Sequence, residues 1–408
     1  MMVVMGEAQL RVGIVGAGFI GAVHARAARL AGARLVGVVA STPARTERAV
    51  AALGAERGYA SAEALAAADE VDVVHICAPN HLHRPLVAAA VAAGKHVVCE
   101  KPLAVDLAGA TELHALATSA GVVATVPFVY RFYPMVREAR ARVLATEQAA
   151  RLVHGSYLQD WLSTAGDDNW RVDAQAGGRS RAFADIGSHW CDLVEFVTGD
   201  RIEQLCGELV TALPERLAGD DLHAFATRAE TSAGAPAATS RLVDTEDVAL
   251  VMFRTRRGAT GSVVVSQISS GHKNQLRFEI ALPDDTLVFD QEHPDTLWIG
   301  RRGPSLLAAR DAAHLHPSAA SYVRVPPGHP QGYQECFDAF VADTYQAIAA
   351  GSADAVDGLP TFADGVRAAR ITDAVLRSAD AHTWVDVGAE PTEPADQPTD
   401  QLTGERDR

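Results

Sequence analysis

The sequence predicts an α/β domain with a doubly wound parallel sheet, followed by an α+β domain with one largely antiparallel sheet. Three observations carry this expectation. An apolar run at 12–15 leads through Gly16, Gly18 and Gly21 into an Ala-rich helical segment at 22–31. Apolar runs then alternate with helical segments to about residue 130, which is the pattern of a parallel sheet. After that point strand-like runs dominate.

The first turn reads Gly16-Ala17-Gly18-Phe19-Ile20-Gly21, a G-x-G-x-x-G placed between a strand and a helix. Such glycines suit a dinucleotide pyrophosphate. Gly16 permits the tight turn, Gly18 lets backbone approach the phosphates, and Gly21 lets helix and strand pack closely. The helix N-terminus adds free N–H donors for the anion. The stretch thus predicts a Rossmann domain, with Gly16, Gly18, Phe19, Ile20 and Gly21 at the cofactor.

A second strand is expected at 34–40. NAD-binding units usually end this strand in Asp or Glu, for the ribose hydroxyls. Here the chain reads Ala40-Ser41-Thr42-Pro43-Ala44-Arg45. Ser41, Thr42 and Arg45 could hold a 2′-phosphate; equally, Ser41 could cap the next helix and Arg45 could be a solvated helix residue. NAD and NADP both stay open.

A helix is expected at 46–53 and a buried strand at 71–77. That strand ends in Ala78-Pro79-Asn80-His81-Leu82-His83. His81 and His83 lack a third metal ligand nearby, so no metal is expected. Ala78, Pro79, Asn80 and His83 are instead expected beside the cofactor, because ligands bind outside the carboxyl ends of strands in open α/β sheets. A helix at 86–93, a strand at 95–99, a helix at 107–120 and a strand at 122–126 complete the first domain. Gly94 and Gly121 close the two helices.

In the second domain a helix is expected at 135–144, a strand at 152–160 and a helix running to 197. Strands are expected at 248–254, 261–266, 276–282, 286–290 and 296–299, with a hairpin turn at 283–285. Helices are expected at 334–349 and 360–377. Residues 213–240 are rich in Ala, Gly and Thr and read as a flexible insertion. The expected domains are therefore a leader at 1–9, a Rossmann domain at 10–130, an α+β domain at 131–385 and a disordered tail at 386–408. The helix at 360–377 is a candidate to pack back on the first domain.

Composition bounds the function. Hydrophobic residues make up 48% of the 408, as in a globular protein. The formal net charge of −15 argues against a nucleic-acid partner. Five scattered cysteines without a C-x-x-C suggest neither a disulfide framework nor a zinc knot, and fit a cytoplasmic protein. No basic leader and no apolar run of membrane-spanning length is seen.

Three stretches could carry hydride-transfer chemistry. Glu100-Lys101-Pro102 lies at the end of a first-domain strand, where the nicotinamide end of a dinucleotide would reach. Lys101 there could stabilise a developing alkoxide, or be a surface lysine in a turn. Asp185 and His189 lie four apart on a helical stretch and share one face. A neutral imidazole suits removal of a hydroxyl proton, with the carboxylate orienting it; an N-cap Asp beside a packed histidine is the alternative. Tyr133, Gln159, Trp161 and Arg171 offer aromatic faces and forked polar groups for a sugar or polyol, or serve domain packing.

With these residues in view, the chain resembles the Gfo/Idh/MocA oxidoreductases, the glucose–fructose oxidoreductase and inositol dehydrogenase group. The carrying stretches are 16–21, 78–83, 94–102 and 178–189. The resemblance implies a large, mainly antiparallel open sheet in the second domain and a homodimer or homotetramer joined through it. It implies catalysis by Lys101, Asp185 and His189, with His189 transferring the proton, and a cis Lys101-Pro102 peptide. Stretches at 159–161, 169–171, 185–192, 273–277, 297–300 and 329–333 are closer to the levoglucosan dehydrogenase branch, which oxidises a ring carbon of an anhydrosugar or pyranoside. The leading expectation is an NAD(P)-dependent sugar or polyol dehydrogenase. A glycosidase or eliminase with transient redox and a non-catalytic dinucleotide sensor are the alternatives.

Overall fold

In a computed structural model, which describes residues 9–146, 148–217 and 240–388, two sheets organise the chain. The leader at 1–8, most of the expected insertion (218–239) and the tail at 389–408 lie outside the described residues.

The first sheet holds β1 (Arg11–Val15), β2 (Arg34–Val39), β3 (Arg57–Gly58), β4 (Val73–Ile76), β5 (His96–Cys99) and β6 (Ala124–Thr125). Its order is β3-β2-β1-β4-β5-β6 and every pairing is parallel. Helices cover both faces, so the strands are apolar nearly throughout: all four residues of β4 are buried. The order reverses between β1 and β4, and ligands of such sheets bind outside the carboxyl ends of the strands beside that point. The helix Phe19–Leu30 follows β1, and Leu107–Ala120 begins where Asp106 accepts from the Gly109 N–H at 2.7 Å.

The second sheet holds β7 (Leu152–Leu158), β8 (Ile202–Val210), β11 (Val248–Thr255), β12 (Thr260–Ser266), β13 (Gln275–Ala281), β14 (Asp285–Asp290), β15 (Thr296–Arg301), β16 (Leu306–Ala309) and β17 (Val385–Asp386). The short strands β9 (Glu215–Leu217) and β10 (Ser240–Leu242) form a separate antiparallel pair. The order of the nine is β16-β15-β14-β13-β7-β12-β11-β8-β17. Only β7 and β12 pair in parallel. One face packs on the helices Ser188–Thr198, Pro134–Ala145 and Phe362–Ala381; the other leaves Leu250, Met252, Val264 and Trp298 exposed. Alternation of buried and exposed residues along β11 and β12 is the mark of such a one-sided sheet.

Several details differ from the sequence expectation. The strand β8 was not anticipated, because Glu203, Gln204 and Glu208 interrupt its apolar residues; they fall on positions that the open face leaves partly or fully exposed. The ends of the expected flexible insertion are ordered, as β9 and β10. The helix expected from residue 86 begins at His83. Phe183–Gly187 is a π-helical turn ahead of Ser188–Thr198, rather than a plain α-helix. Such turns carry one extra residue and often sit at functional sites.

The helix Phe362–Ala381 places Phe362, Val366 and Ala368 in the same apolar cluster as Val97, Leu113 and Val126 of the first domain. No helix among the described residues is long and apolar enough to cross a membrane.

Candidate active site

The glycine turn has the geometry of a phosphate cradle. Gly16 adopts φ +101°, and a Cβ there would lie 2.3 Å from the Cys77 carbonyl oxygen. A Cβ on Gly21 would lie 2.1 Å from the Gly16 oxygen. Gly18, which caps the helix Phe19–Leu30, meets nothing within 4 Å and faces open space. Two glycines are thus required by the protein's own packing, and the third leaves room for a ligand at a helix N-terminus. These residues fit a dinucleotide. Phe19 is exposed and Ile20 half-buried at the same turn.

At the end of β2, Thr42 rather than Ser41 caps the next helix: its Oγ1 accepts from the Arg45 N–H at 3.2 Å. Ser41 Oγ accepts from Arg45 Nη1 at 3.0 Å, which places an exposed hydroxyl and guanidinium together at the strand end. Asn80 donates to the Gly177 carbonyl at 3.0 Å and so joins the post-β4 loop, with Ala78 and Pro79, to the second domain. His83 is buried, its two ring nitrogens bonded to the Pro102 and Ala78 carbonyls at 2.8 and 2.9 Å. Burial lowers the His83 pKa, and a neutral ring donates to one of these two carbonyls at a time; either way the side chain links the loop to the Lys101-Pro102 turn.

Lys101 and Asp185 meet across the domain boundary. The Lys101 ammonium donates to Asp185 Oδ1 at 2.7 Å and to the Asp185 carbonyl at 2.8 Å. The Lys101-Pro102 peptide is cis, in agreement with the resemblance. Arg171 Nε lies 3.5 Å from the same Oδ1. Burial alone would raise the Asp185 pKa, but the Lys101 and Arg171 charges outweigh it and hold the carboxyl well below the usual range. His189 is buried; burial first, then the Lys101 charge, keep its pKa well below 6.5 against the pull of Asp185. The ring is therefore neutral at pH 7, and its Nδ1 has no hydrogen-bond partner among the described residues. Its faces and edges meet Tyr130 and Phe128 at 4.9 and 5.6 Å between centroids. Trp190, the next residue, is fully buried and donates to the Arg277 carbonyl at 2.9 Å, which anchors the helix Ser188–Thr198 to β13.

The remaining sequence candidates divide. Arg171 stacks over Trp170 at 4.5 Å and lies 5.9 Å from the Trp161 ring centroid. Trp161 donates to Gln159 Oε1 at 2.8 Å, and Gln159 donates to Asn274 at 2.7 Å. These three thus belong to one linked wall. Tyr133 lies deeper: it is buried, its hydroxyl accepts from Gln291 at 3.2 Å, and its ring packs on Phe289.

Sequence reasoning missed several groups. Gln267, fully buried just after β12, donates to Asp185 Oδ2 at 2.9 Å, while its own Oε1 has no partner among the described residues. A lone Gln after a strand gives no sequence signal. Glu246 accepts from the Arg181 and Phe183 N–H groups at 3.0 and 2.9 Å and so caps the turn that carries Asp185. Beneath Glu100 runs a buried chain. Glu100 Oε1 is 3.0 Å from His24 Nε2, His24 Nδ1 is 2.9 Å from His75 Nδ1, and His75 Nε2 is 2.9 Å from the Tyr345 hydroxyl. Donation running from Tyr345 through His75 and His24 to the carboxylate satisfies every link with both rings neutral.

The chain is similar to known oxidoreductases. A family profile described as "Oxidoreductase family, NAD-binding Rossmann fold" matches residues 10–128, and the "GFO/IDH/MocA C-terminal domain" matches 149–288. Levoglucosan dehydrogenase of Pseudarthrobacter phenanthrenivorans is 30% identical over 93% of this chain and 98% of its own. The structure of a levoglucosan dehydrogenase with NADH and L-sorbose superposes with a TM-score of 0.83 at 28% identity, over 94% of this chain and all of that one. An inositol dehydrogenase homolog from Azotobacter vinelandii, complexed with NAD+, gives 0.79 at 26% identity, over 93% and 97%.

Proposed function

Because the chain belongs to the Gfo/Idh/MocA oxidoreductase family, we propose that it oxidises a ring hydroxyl of a sugar, anhydrosugar or polyol to a ketone, with NAD or NADP as hydride acceptor. The observation that carries this reading is the Lys101–Asp185 pair, 2.7 Å apart and drawn from two domains, beside a buried neutral His189. When bound, the nicotinamide supplies the site for the departing hydride. The substrate oxygen sits against Lys101, whose ammonium stabilises the developing alkoxide. Neutral His189 takes the hydroxyl proton as general base. Asp185 holds Lys101 in place. Gln159, Trp161 and Arg171 form the wall against the ring, while Tyr133 supports that wall from below. Gly16, Gly18, Phe19, Ile20 and Gly21 hold the pyrophosphate; Ser41, Thr42 and Arg45 lie at the adenosine ribose; Ala78, Pro79, Asn80, His83 and Glu100 border the nicotinamide half.

The protein works as a cytoplasmic homodimer or homotetramer joined through the exposed face around Leu250, Met252, Val264 and Trp298, whose apolar character supports association. Sedimentation equilibrium tests that part: a monomer at micromolar concentration contradicts it.

The functional test is a panel of sugars, anhydrosugars and polyols, each read at the nicotinamide absorbance band with NAD and with NADP. Levoglucosan and inositol are expected among the turned-over compounds. A panel without any turnover contradicts the reading. Sugar cleavage without net cofactor reduction would favour the glycosidase or eliminase reading instead.

A further inference from the structure

We infer that Arg216 and Asp247 are positioning residues that hang the sugar-facing loop on the start of the catalytic helix. The inference rests on the proposed role of Trp161 and Arg171 as the wall against the substrate ring.

Arg216 lies on β9 and is fully buried. Its guanidinium donates to three main-chain carbonyls of one loop: Leu162 at 3.0 Å, Thr164 at 3.1 Å and Asp167 at 2.9 Å. Loops satisfy most of their carbonyls with water; here one side chain gathers three of them. The loop lies between Trp161 and Arg171, so both are held by its shape. A second set of contacts fixes the same loop to the β9/β10 pair. The Leu217 N–H donates to the Ala165 carbonyl at 2.8 Å, and Arg241 of β10 pairs with Asp168. Leu162, Val172 and Val243 form a small apolar core of their own, with Trp161 packed against it.

Asp247 joins this assembly to the catalytic helix. Its Oδ1 accepts from Arg216 Nη2 at 2.7 Å and contacts Arg181 Nη2, and its Oδ2 accepts from the Leu213 N–H at 2.8 Å. All three charged side chains are fully shielded from solvent. Arg181 stands one turn before Asp185, whose N–H donates to the Arg181 carbonyl at 2.8 Å. A continuous buried path therefore runs from the loop to the residue that holds Lys101. Such a network is costly to desolvate and gains little net stability over an apolar replacement. What it supplies is directional fixing: a planar fork with five donors fits this arrangement, and neither an apolar side chain nor an ammonium does.

The test uses the full-length enzyme with levoglucosan as the probe sugar. Arg216→Met releases the three carbonyls; Arg216→Lys keeps the charge opposite Asp247 and loses the fork. Two readouts are taken: hydrogen exchange across residues 162–172, and KM for levoglucosan against the NADH dissociation constant. Both variants are expected to exchange faster in that segment and to raise the KM about tenfold or more, a larger factor than any fall in kcat, while NADH binding holds. Exchange at the wild-type rate overturns the inference, as does a wild-type KM in the Lys variant. A wild type inactive on levoglucosan contradicts only the choice of that sugar, and KM is then read on a compound that the panel shows to be turned over; the exchange rates decide the role of Arg216 in either case. Should the Met variant fail to fold, Arg241→Gln loosens only the outer end of the loop. It is expected to raise exchange at 167–170 and the KM, and no change in either overturns the inference.

Discussion

The Lys101 ammonium lies 2.7 Å from Asp185 Oδ1, and the two residues reach each other from the end of β5 in one domain and a π-helical turn in the other. Neither domain alone holds the pair. The pair therefore depends on how the domains are docked. The helix Phe362–Ala381, which packs on the first domain, is tied to the helix Ser188–Thr198 by Arg131, which bonds Asp192 at 2.8 Å and Asp364 at 2.7 Å.

Replacing Lys101 by Met removes the group proposed to stabilise the alkoxide and leaves the cradle at Gly16–Gly21 untouched. Turnover should fall about a hundredfold or more while NADH binding, read by fluorescence quenching, stays within about twofold. Equal losses in binding and turnover would assign Lys101 to the cofactor instead.

The pH profile carries a sign. Burial and Lys101 lower the His189 pKa, so its proton-accepting form persists below the ordinary imidazole value of about 6.5. The acid limb of kcat/KM for oxidation should lie below that value. In Lys101→Met, loss of the neighbouring cation should move the residual acid limb upward. Stability follows the same linkage: the unfolded imidazole binds a proton that the folded one refuses, so this contribution is lost as pH falls through about 6.5. An acid limb that moves down in the variant contradicts the assignment.

The three glycines of the cradle separate by substitution to Ala. Gly16→Ala and Gly21→Ala place a Cβ within 2.3 and 2.1 Å of a carbonyl oxygen, so both should lower the melting temperature and abolish cofactor binding. Gly18→Ala meets no protein atom within 4 Å; it should keep the melting temperature and weaken NAD binding alone. Calorimetry with and without NAD distinguishes the cases.

Much of this was legible in the chain because it rests on short-range rules. The Gly16–Gly21 turn, the alternation of strands and helices and the Glu100-Lys101-Pro102 stretch each carry a local physical reason. Pairing of Lys101 with Asp185 came from a resemblance, since residues that far apart share no local signal. Other features were hidden for identifiable reasons. β8 reads as polar because one face of its sheet is open. Ser41 reads as the cap of the next helix, but the backbone gives that place to Thr42. Gln267, Glu246 and Arg216 look like ordinary polar residues until the fold buries them; burial, rather than residue type, gives them their roles.

The buried chain from Tyr345 to Glu100 predicts a stability effect far from the loop. His24→Ala strips a partner from both Glu100 and His75, and should cost about 2–4 kcal/mol in urea unfolding. Tyr345→Phe removes only the terminal donor and should cost about 1–2 kcal/mol. Equal costs for the two variants would contradict a chain that ends on the carboxylate.

Lys101, Asp185 and His189 are proposed to surround one substrate oxygen during oxidation. NADH and keto-sugar are followed together in wild type and in His189→Asn, with levoglucosan as substrate. Equimolar NADH and ketone are expected in the wild type, and a rate lower by about a hundredfold or more in a variant that still binds NADH. Equal rates in the two proteins would contradict the proposal.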